Sequence, residues 1–296
     1  MNHIVVIIKI SEHSADPESV GELLITAGAG SVEVAADNLS LRVIIPETEE
    51  SPVMGVIEQL GAAIISRESI EERNWAVLCP ELLQPIEAGK FSIRPCASAS
   101  EAVPEKGGIN VIPGMGFGTG HHDTTHALLG MISDISERSK SGTWENSTPT
   151  IVDVGTGSGI LAIAAAMAFP EAAIFATDID EAALANAAEN CALNGVTDRV
   201  SLLHTSIPVL PAPAEVVIAN LYAELLISLR DDLFSLLAPG GTLLISGIAA
   251  HQDDEVAAAF AELPILLERR WESPTHSDPA ESRMRWVARN YRRLSE

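Results

Sequence analysis

The chain has 296 residues, 47% of them hydrophobic, and its 41 acidic against 18 basic side chains leave a formal net charge of −23. That length builds one large domain or two modest ones, and no apolar run reaches the roughly 18 residues that cross a bilayer. So acidic a surface repels nucleic acid and attracts a basic protein, although the same acidity also serves solubility or reflects a host's habitat.

The opening Met1-Asn-His-Ile-Val-Val-Ile-Ile-Lys9 has no basic leader region and no small-residue cleavage site, so it reads as a strand rather than a signal peptide. Residues 17–27 carry Val20, Leu23, Leu24 and Ala27 at helical spacing, ended by Gly28 and Gly30. Strands follow at 31–36 and 39–45 around an Asp37-Asn38 turn, then a helix at 52–60 and a strand at 62–70. The order βαββαβ predicts a small ferredoxin-like α+β domain over residues 1–70. It carries no catalytic constellation and reads as a recognition platform.

Residues 71–96 hold Trp75, Leu78, Leu82, Leu83 and Ile86 at helical spacing, the pattern of an interdomain linker helix, with a short strand candidate at Phe91-Ser-Ile-Arg94. Residues 97–296 then form the second domain. Ile109-Asn-Val-Ile112 is a further strand candidate, and 98–108 and 133–150 are polar enough for surface loops. Cys79, Cys96 and Cys191 are far apart and form no C-x-x-C pair, as expected of reduced thiols in the cytoplasm.

The segment from Pro113 to Thr125 holds four glycines and Phe117, a mobile loop able to sit against a ligand, with Phe117 placed to cover a cofactor or a substrate side chain. Thr124 and Thr125 open a helix reaching about residue 132, where their hydroxyls suit capping. His121 and His122 are adjacent and cannot share a helix face as metal ligands do at i and i+4, so no metal site is expected.

From residue 150 onward strands (near 151–154, 173–177, 200–204, 215–219 and 242–247) alternate with helices (near 159–168, 181–193, 222–237 and 250–262). This is the signature of a mostly parallel, doubly wound α/β sheet. Two last strands, at 265–271 and 284–290, have no helix between them and are expected to pair antiparallel at an edge.

The most informative stretch is Asp153-Val-Gly155-Thr-Gly157-Ser-Gly159 after a β-rich run, followed by Phe175-Ala-Thr-Asp178-Ile179-Asp180. Strand, glycine turn, helix, strand and terminal acid together build a nucleoside pocket. The spacing is G-x-G-x-G, whereas a dinucleotide fingerprint is G-x-G-x-x-G, and Ile160 stands where its third glycine would fall. No Lys or Arg lies between Thr150 and Ala192 to meet a pyrophosphate. A cationic nucleoside without phosphate, S-adenosyl-L-methionine, suits this loop better than a dinucleotide. Asp178 is placed to accept both ribose hydroxyls, with Gly155, Gly157 and Ile179 beside it in the candidate cofactor set. Asp180 suits the cap of the next helix.

Asn220 ends the fourth strand of the sheet, where its carboxamide oxygen can accept from an incoming amine, or its side chain can cap a helix starting at Leu221. No His or Glu is fixed near Asn220 by spacing, so a general base is not named.

These motifs together resemble the ribosomal protein methyltransferase A (PrmA type) family, most specifically in Phe117-Gly-Thr-Gly-His121-x-x-Thr124-Thr125 before the glycine loop. Asn220-Leu-Tyr-Ala-Glu-Leu225 and Leu237-Ala-Pro-Gly-Gly-x-Leu-x-x-Ser-Gly247 also look like it. The resemblance implies a class I methyltransferase fold and S-adenosyl-L-methionine as cofactor. It implies methylation of lysine and N-terminal amines on a basic ribosomal protein of the large subunit, the eleventh. It further implies that the small N-terminal domain holds that protein while the catalytic domain pivots. By position it assigns cofactor residues to Thr125, Gly155, Asp178 and Asn220, and substrate-side residues to Phe117 and His121. A cytoplasmic monomer contacting neither nucleic acid nor membrane is expected. The alternative is methylation of a small molecule or a nucleic-acid base, but Asn220-Leu-Tyr222 lacks the paired prolines of nucleic-acid amine methyltransferases.

Overall fold

A computed structural model describes residues 3–10, 17–34, 39–70, 85–96, 98–103, 107–114, 122–139, 148–274 and 285–295. The chain divides into two compact units, Met1–Trp75 and Ala76–Glu296.

In the first unit the elements run β1 (His3–Lys9), α1 (Pro17–Thr26), β2 (Ser31–Val34), β3 (Ser40–Pro46), α2 (Glu50–Gln59) and β4 (Ala63–Ile70). The strands lie in the order β2-β3-β1-β4, every pair antiparallel. Period-two burial drives this sheet: Ile4, Val6 and Ile8 of β1 meet Leu41, Val43 and Ile45 of β3 on one face. Val20 and Leu24 of α1 and Val53 and Ile57 of α2 close over that face, four apart as one helical stripe requires. The expected turn at Asp37-Asn38 lies outside the described residues.

The second unit opens with a three-stranded sheet of β5 (Ile86–Ala88), β6 (Phe91–Pro95) and β7 (Gly108–Val111). This corrects the linker helix expected over 71–96: residues 71–84 lie outside the described residues, and 86–95 form a hairpin. Ile86 fits a helical stripe, but Phe91, Ile93 and Pro95 alternate buried against half-buried Ser92 and Arg94, and Gly89 turns the chain at φ 61°. The hairpin belongs to the second unit, which therefore begins before residue 97.

Helix α3 (Asp123–Ser139) is a second correction, because residues 133–139 had the composition of a loop. Its serines are satisfied within the helix: Ser136 Oγ donates to Ser133 O (2.8 Å) and Ser139 Oγ to Ser136 O (3.0 Å). Ser133 Oγ also accepts from the Lys90 backbone amide (3.2 Å), which ties the helix to the hairpin.

The main sheet runs β10 (Val200–His204), β9 (Ala173–Asp178), β8 (Thr150–Val154), β11 (Ala214–Asn220), β12 (Leu237–Ala249), β14 (Trp286–Arg293), β13 (Ile265–Glu272). The first five strands are parallel; β14 enters antiparallel between β12 and the edge strand β13. This is the class I methyltransferase architecture with its antiparallel edge. Helices α4 (Ile160–Ala168) and α5 (Glu181–Leu193) match the expected spans. The single helix expected over 222–237 is two, α6 (Ala223–Ser228) and α7 (Arg230–Leu236), joined at Leu229, which lets Leu226 and Leu233 both reach the core under β11 and β12.

Helix α8 (Asp253–Phe260) is fastened to the edge strands by charge. Asp253 Oδ1 accepts from Arg289 Nε (2.6 Å) and Oδ2 from Arg270 Nε (2.7 Å), while Arg289 Nη1 donates to the Tyr291 hydroxyl (3.1 Å). Asp253 and Arg289 are 5% and 6% exposed. Among the described residues, no helix is long and apolar enough to cross a membrane.

Candidate active site

The glycine loop between β8 and α4 is stitched to β9: the Gly155 and Thr156 amides both donate to Thr177 O (2.9 and 2.8 Å). Gly155 has φ 72°, and a Cβ there would stand 2.4 Å from Leu221 Cδ2. The backbone conformation therefore demands glycine here, with the movable tip of the Leu221 side chain packed against it.

Asp178 ends β9 facing this loop. Its Oδ2 accepts from the Gly157 amide (2.9 Å) and its Oδ1 from the Asp180 amide (3.0 Å). A carboxylate offers about four lone-pair sites, so both oxygens keep capacity while their direction is fixed. Asp180 caps α5 as expected, accepting from the Ala182 amide (2.9 Å).

Asn220 ends β11, and its Nδ2 donates to Oγ1 of fully buried Thr125 on α3 (3.2 Å). That bond uses one of the amide's two N–H donors and leaves Oδ1 as an acceptor. The capping alternative does not occur, since α6 starts at Ala223 with Tyr222 before it. Thr125 points into the protein, and His122 occupies the capping position, its Nδ1 lying 2.8 Å from Thr124 Oγ1.

These elements enclose a cavity of about 350 Å³, within the size range of small-molecule and cofactor sites. Thr125, Gly155, Gly157, Asp178, Ile179 and Asn220 all line it. Phe117 and His121 lie outside the described residues. Sequence reasoning missed several lining residues: His122, Leu221, Tyr222, Gly247 and Trp286. Gly247 has φ 89°, and a Cβ there would stand 2.3 Å from Leu221 O, so the Ser246-Gly247 pair was a readable signal of close backbone approach. Trp286, brought in by β14, meets the His122 ring edge-on with centroids 4.6 Å apart. Burial pushes the His122 imidazole below its usual pKa, with Asp123 opposing.

Asp153, next to last in β8 behind the loop, is fully buried. Its Oδ2 accepts from Thr156 Oγ1 (2.6 Å), and its Oδ1 has no hydrogen-bond partner of normal geometry among the described residues. Burial pushes its carboxyl up to about 6, against the Thr156 hydroxyl and the Ala162 amide, and Asp178 adds to the rise. The folded protein thus holds this proton more tightly than the unfolded chain. Its contribution to stability is complete below pH 4 and lost as the pH rises through 6. Two pKa units correspond to about 3 kcal/mol. Asp153→Asn is expected to remove that slope, and denaturant titrations at pH 4.5 and 7.5 measure it; an identical slope in wild type and variant contradicts the assignment.

The family model described as Ribosomal protein L11 methyltransferase (PrmA) matches residues 53–273. The chain belongs to this family. The Ribosomal protein L11 methyltransferase of Agrobacterium fabrum is 36% identical over 202 residues, 67% of this chain and 66% of the relative. That of Geobacter sp. (strain M21) is 38% identical over 200 residues, 67% and 63% of the two. The matched part therefore spans slightly less than two thirds of these two relatives. A solved structure, the ribosomal protein L11 methylase of Lactobacillus delbrueckii subsp. bulgaricus, superposes with TM-score 0.56 and 30% identity, covering 71% of this chain and 99% of its own.

Proposed function

We infer that the chain is an S-adenosyl-L-methionine-dependent protein methyltransferase acting on lysine side chains and the N-terminal amine of ribosomal protein L11, a basic protein of the large subunit. The observation that carries this reading is the pairing, in one cavity, of a backbone-anchored carboxylate with a carboxamide oriented by a buried threonine.

The lining fits the cofactor. Asp178 offers its remaining lone pairs to a ribose, Ile160, Leu161 and Ala183 give an apolar wall for a purine, and no Lys or Arg among the described lining residues calls for phosphate. Thr125, Gly155, Gly157, Ile179 and Asn220 complete the set that would hold it. When bound, S-adenosyl-L-methionine supplies a methyl group on a cationic sulfur. The chain's part is orientation: Asn220 Oδ1 accepts an N–H of the neutral amine and turns its lone pair toward the cavity interior, as effective catalysis by positioning requires. Phe117 and His121 belong to the substrate side of this reading. The first unit, whose β2-β3-β1-β4 order supports a ferredoxin-like sandwich, holds the substrate protein. The enzyme works as a cytoplasmic monomer, and its net charge of −23 suits a basic protein better than a nucleic acid.

Incubating the protein with labelled methyl donor and a cell extract tests the reading: label is expected in ribosomal protein L11, and label confined to RNA or small molecules overturns it. Asp178→Ala is expected to weaken cofactor binding by about 1–3 kcal/mol, the range for removing a partner from buried polar groups. Unchanged affinity in calorimetry would contradict the ribose role.

A further inference from the structure

Asp153 is a buried acid with no cation beside it among the described residues. Thr156 is half its environment: the residue lines the cavity, and its hydroxyl donates inward to Asp153 Oδ2. Asp153 itself does not line the cavity, so it stands one hydroxyl behind the wall. Its other oxygen has no partner among the described residues. Along the sheet it is flanked in register by Ala176 of β9 and Ile218 of β11, both apolar. The titratable groups that bear on it are Asp178 on β9 and Cys191 on α5, whose thiol burial and Asp153 together push up to about 11, so that it stays neutral. From the residue before α3, His122 reaches the same cavity, and burial disfavours its charged form. From α4 comes only the Ala162 amide. A buried carboxylate without a counter-charge is costly, and this one stands behind a cavity whose described lining holds Asp178 and Asp180 but no Lys or Arg, His122 being its one basic side chain.

We propose that Asp153 sets the charge preference of the cavity, favouring the cationic sulfonium donor over the neutral thioether left after the methyl has gone. The proposal rests on the cofactor reading above. It gives the acid a task that contact does not, because donor and spent product share the ribose, the purine and the amino-acid end and differ by one methyl and one positive charge. Asp178 grips what the two have in common; Asp153, acting through its field, separates them. In turnover this weakens inhibition by the product.

Linkage makes the idea measurable. A cation in the cavity favours ionised Asp153, so donor binding expels protons near pH 6, and by reciprocity donor affinity climbs as the acid ionises. The product, with no sulfonium charge, lacks this coupling. Unit charges on the order of 10 Å apart at an effective dielectric of about 20 interact strongly enough to change affinity roughly tenfold.

The experiment is calorimetry of the full-length chain with S-adenosyl-L-methionine and with S-adenosyl-L-homocysteine at pH 5 and pH 7, in buffers of differing ionisation enthalpy. The preference for donor over product is expected to rise roughly tenfold across that range, with more protons released by donor than by product at pH 6. Asp153→Asn is expected to flatten the preference. Any contribution of His122 survives in that variant and is thereby separated. A flat preference in the wild type, or the same rise in the variant, overturns the proposal. Should the variant not fold, His122→Gln takes its place as the control, and a donor–product difference in proton release that vanishes there, or equal release by the two ligands in the wild type, refutes the proposal. Binding of neither ligand is a different result: it removes the cofactor reading and this proposal with it.

Discussion

Replacing Asp253 with alanine is expected to lower the unfolding free energy by about 3–5 kcal/mol, the cost of leaving a buried cation without its partner. Arg289 is 6% exposed and its Nε donates to Asp253 Oδ1 at 2.6 Å, so the variant strands a guanidinium between α8 and β14. Burial alone would raise the Asp253 carboxyl, but the Arg289 and Arg270 guanidiniums outweigh it and hold the carboxyl below its usual value. The folded state therefore binds this proton less readily than the unfolded chain. The stabilisation is present above the ordinary aspartate range and lost as the pH falls through the depressed value. Urea denaturation of wild type and Asp253→Ala at neutral pH measures the effect, and a loss within the range of a surface ion pair, about 0–1 kcal/mol, would show that the network carries no such load.

On the proposed function, Asn220→Ala is expected to reduce kcat for methylation of ribosomal protein L11 about 100-fold, the scale of misplacing a reacting group. The structural reason is specific: the Thr125 hydroxyl on α3 accepts the Asn220 Nδ2 proton at 3.2 Å and so decides which way the carboxamide oxygen points. Thr125→Val should lower kcat in the same direction by less, because the oxygen remains but loses its orientation. Steady-state kinetics on L11 at saturating donor give both values, and an unchanged kcat in Asn220→Ala would take the residue out of amine positioning.

How much of this was legible in the sequence depends on how local each signal is. The glycine loop, Asp178, Asp180 and Asn220 sit at strand ends, where residue type and spacing speak directly, and they stand where those signals put them. Thr125 was harder. Its hydroxyl alone suited a cap, and the family resemblance pointed to the cavity that it lines. The serines of α3 misled because their back-bonding to carbonyls one turn earlier is invisible before the helix exists. Ile86 misled because one residue at helical spacing cannot outweigh an alternating strand beside a glycine turn. Trp286 and His122 meet only because β14 inserts between β12 and β13, a pairing between segments more than 150 residues apart along the chain that no window of sequence contains.

Helix α5 carries Asn186 and Asn190 and ends on Asn194 as its C-cap, four residues apart, all three bonded to β7 and the residues after it. Asn194 exchanges hydrogen bonds with Asn110 N (2.8 Å) and O (2.7 Å). Asn190 accepts from Ile112 N (2.8 Å) and donates to Ser158 O (2.9 Å), and Asn186 donates to Ile112 O (3.1 Å). β7 is the last strand of its sheet, and a bare margin of that kind is an invitation for another chain to add on. Here three carboxamides imitate the missing neighbour, so the small sheet is sealed against aggregation by side chains, and the same amides brace the entry to the segment that begins at Pro113.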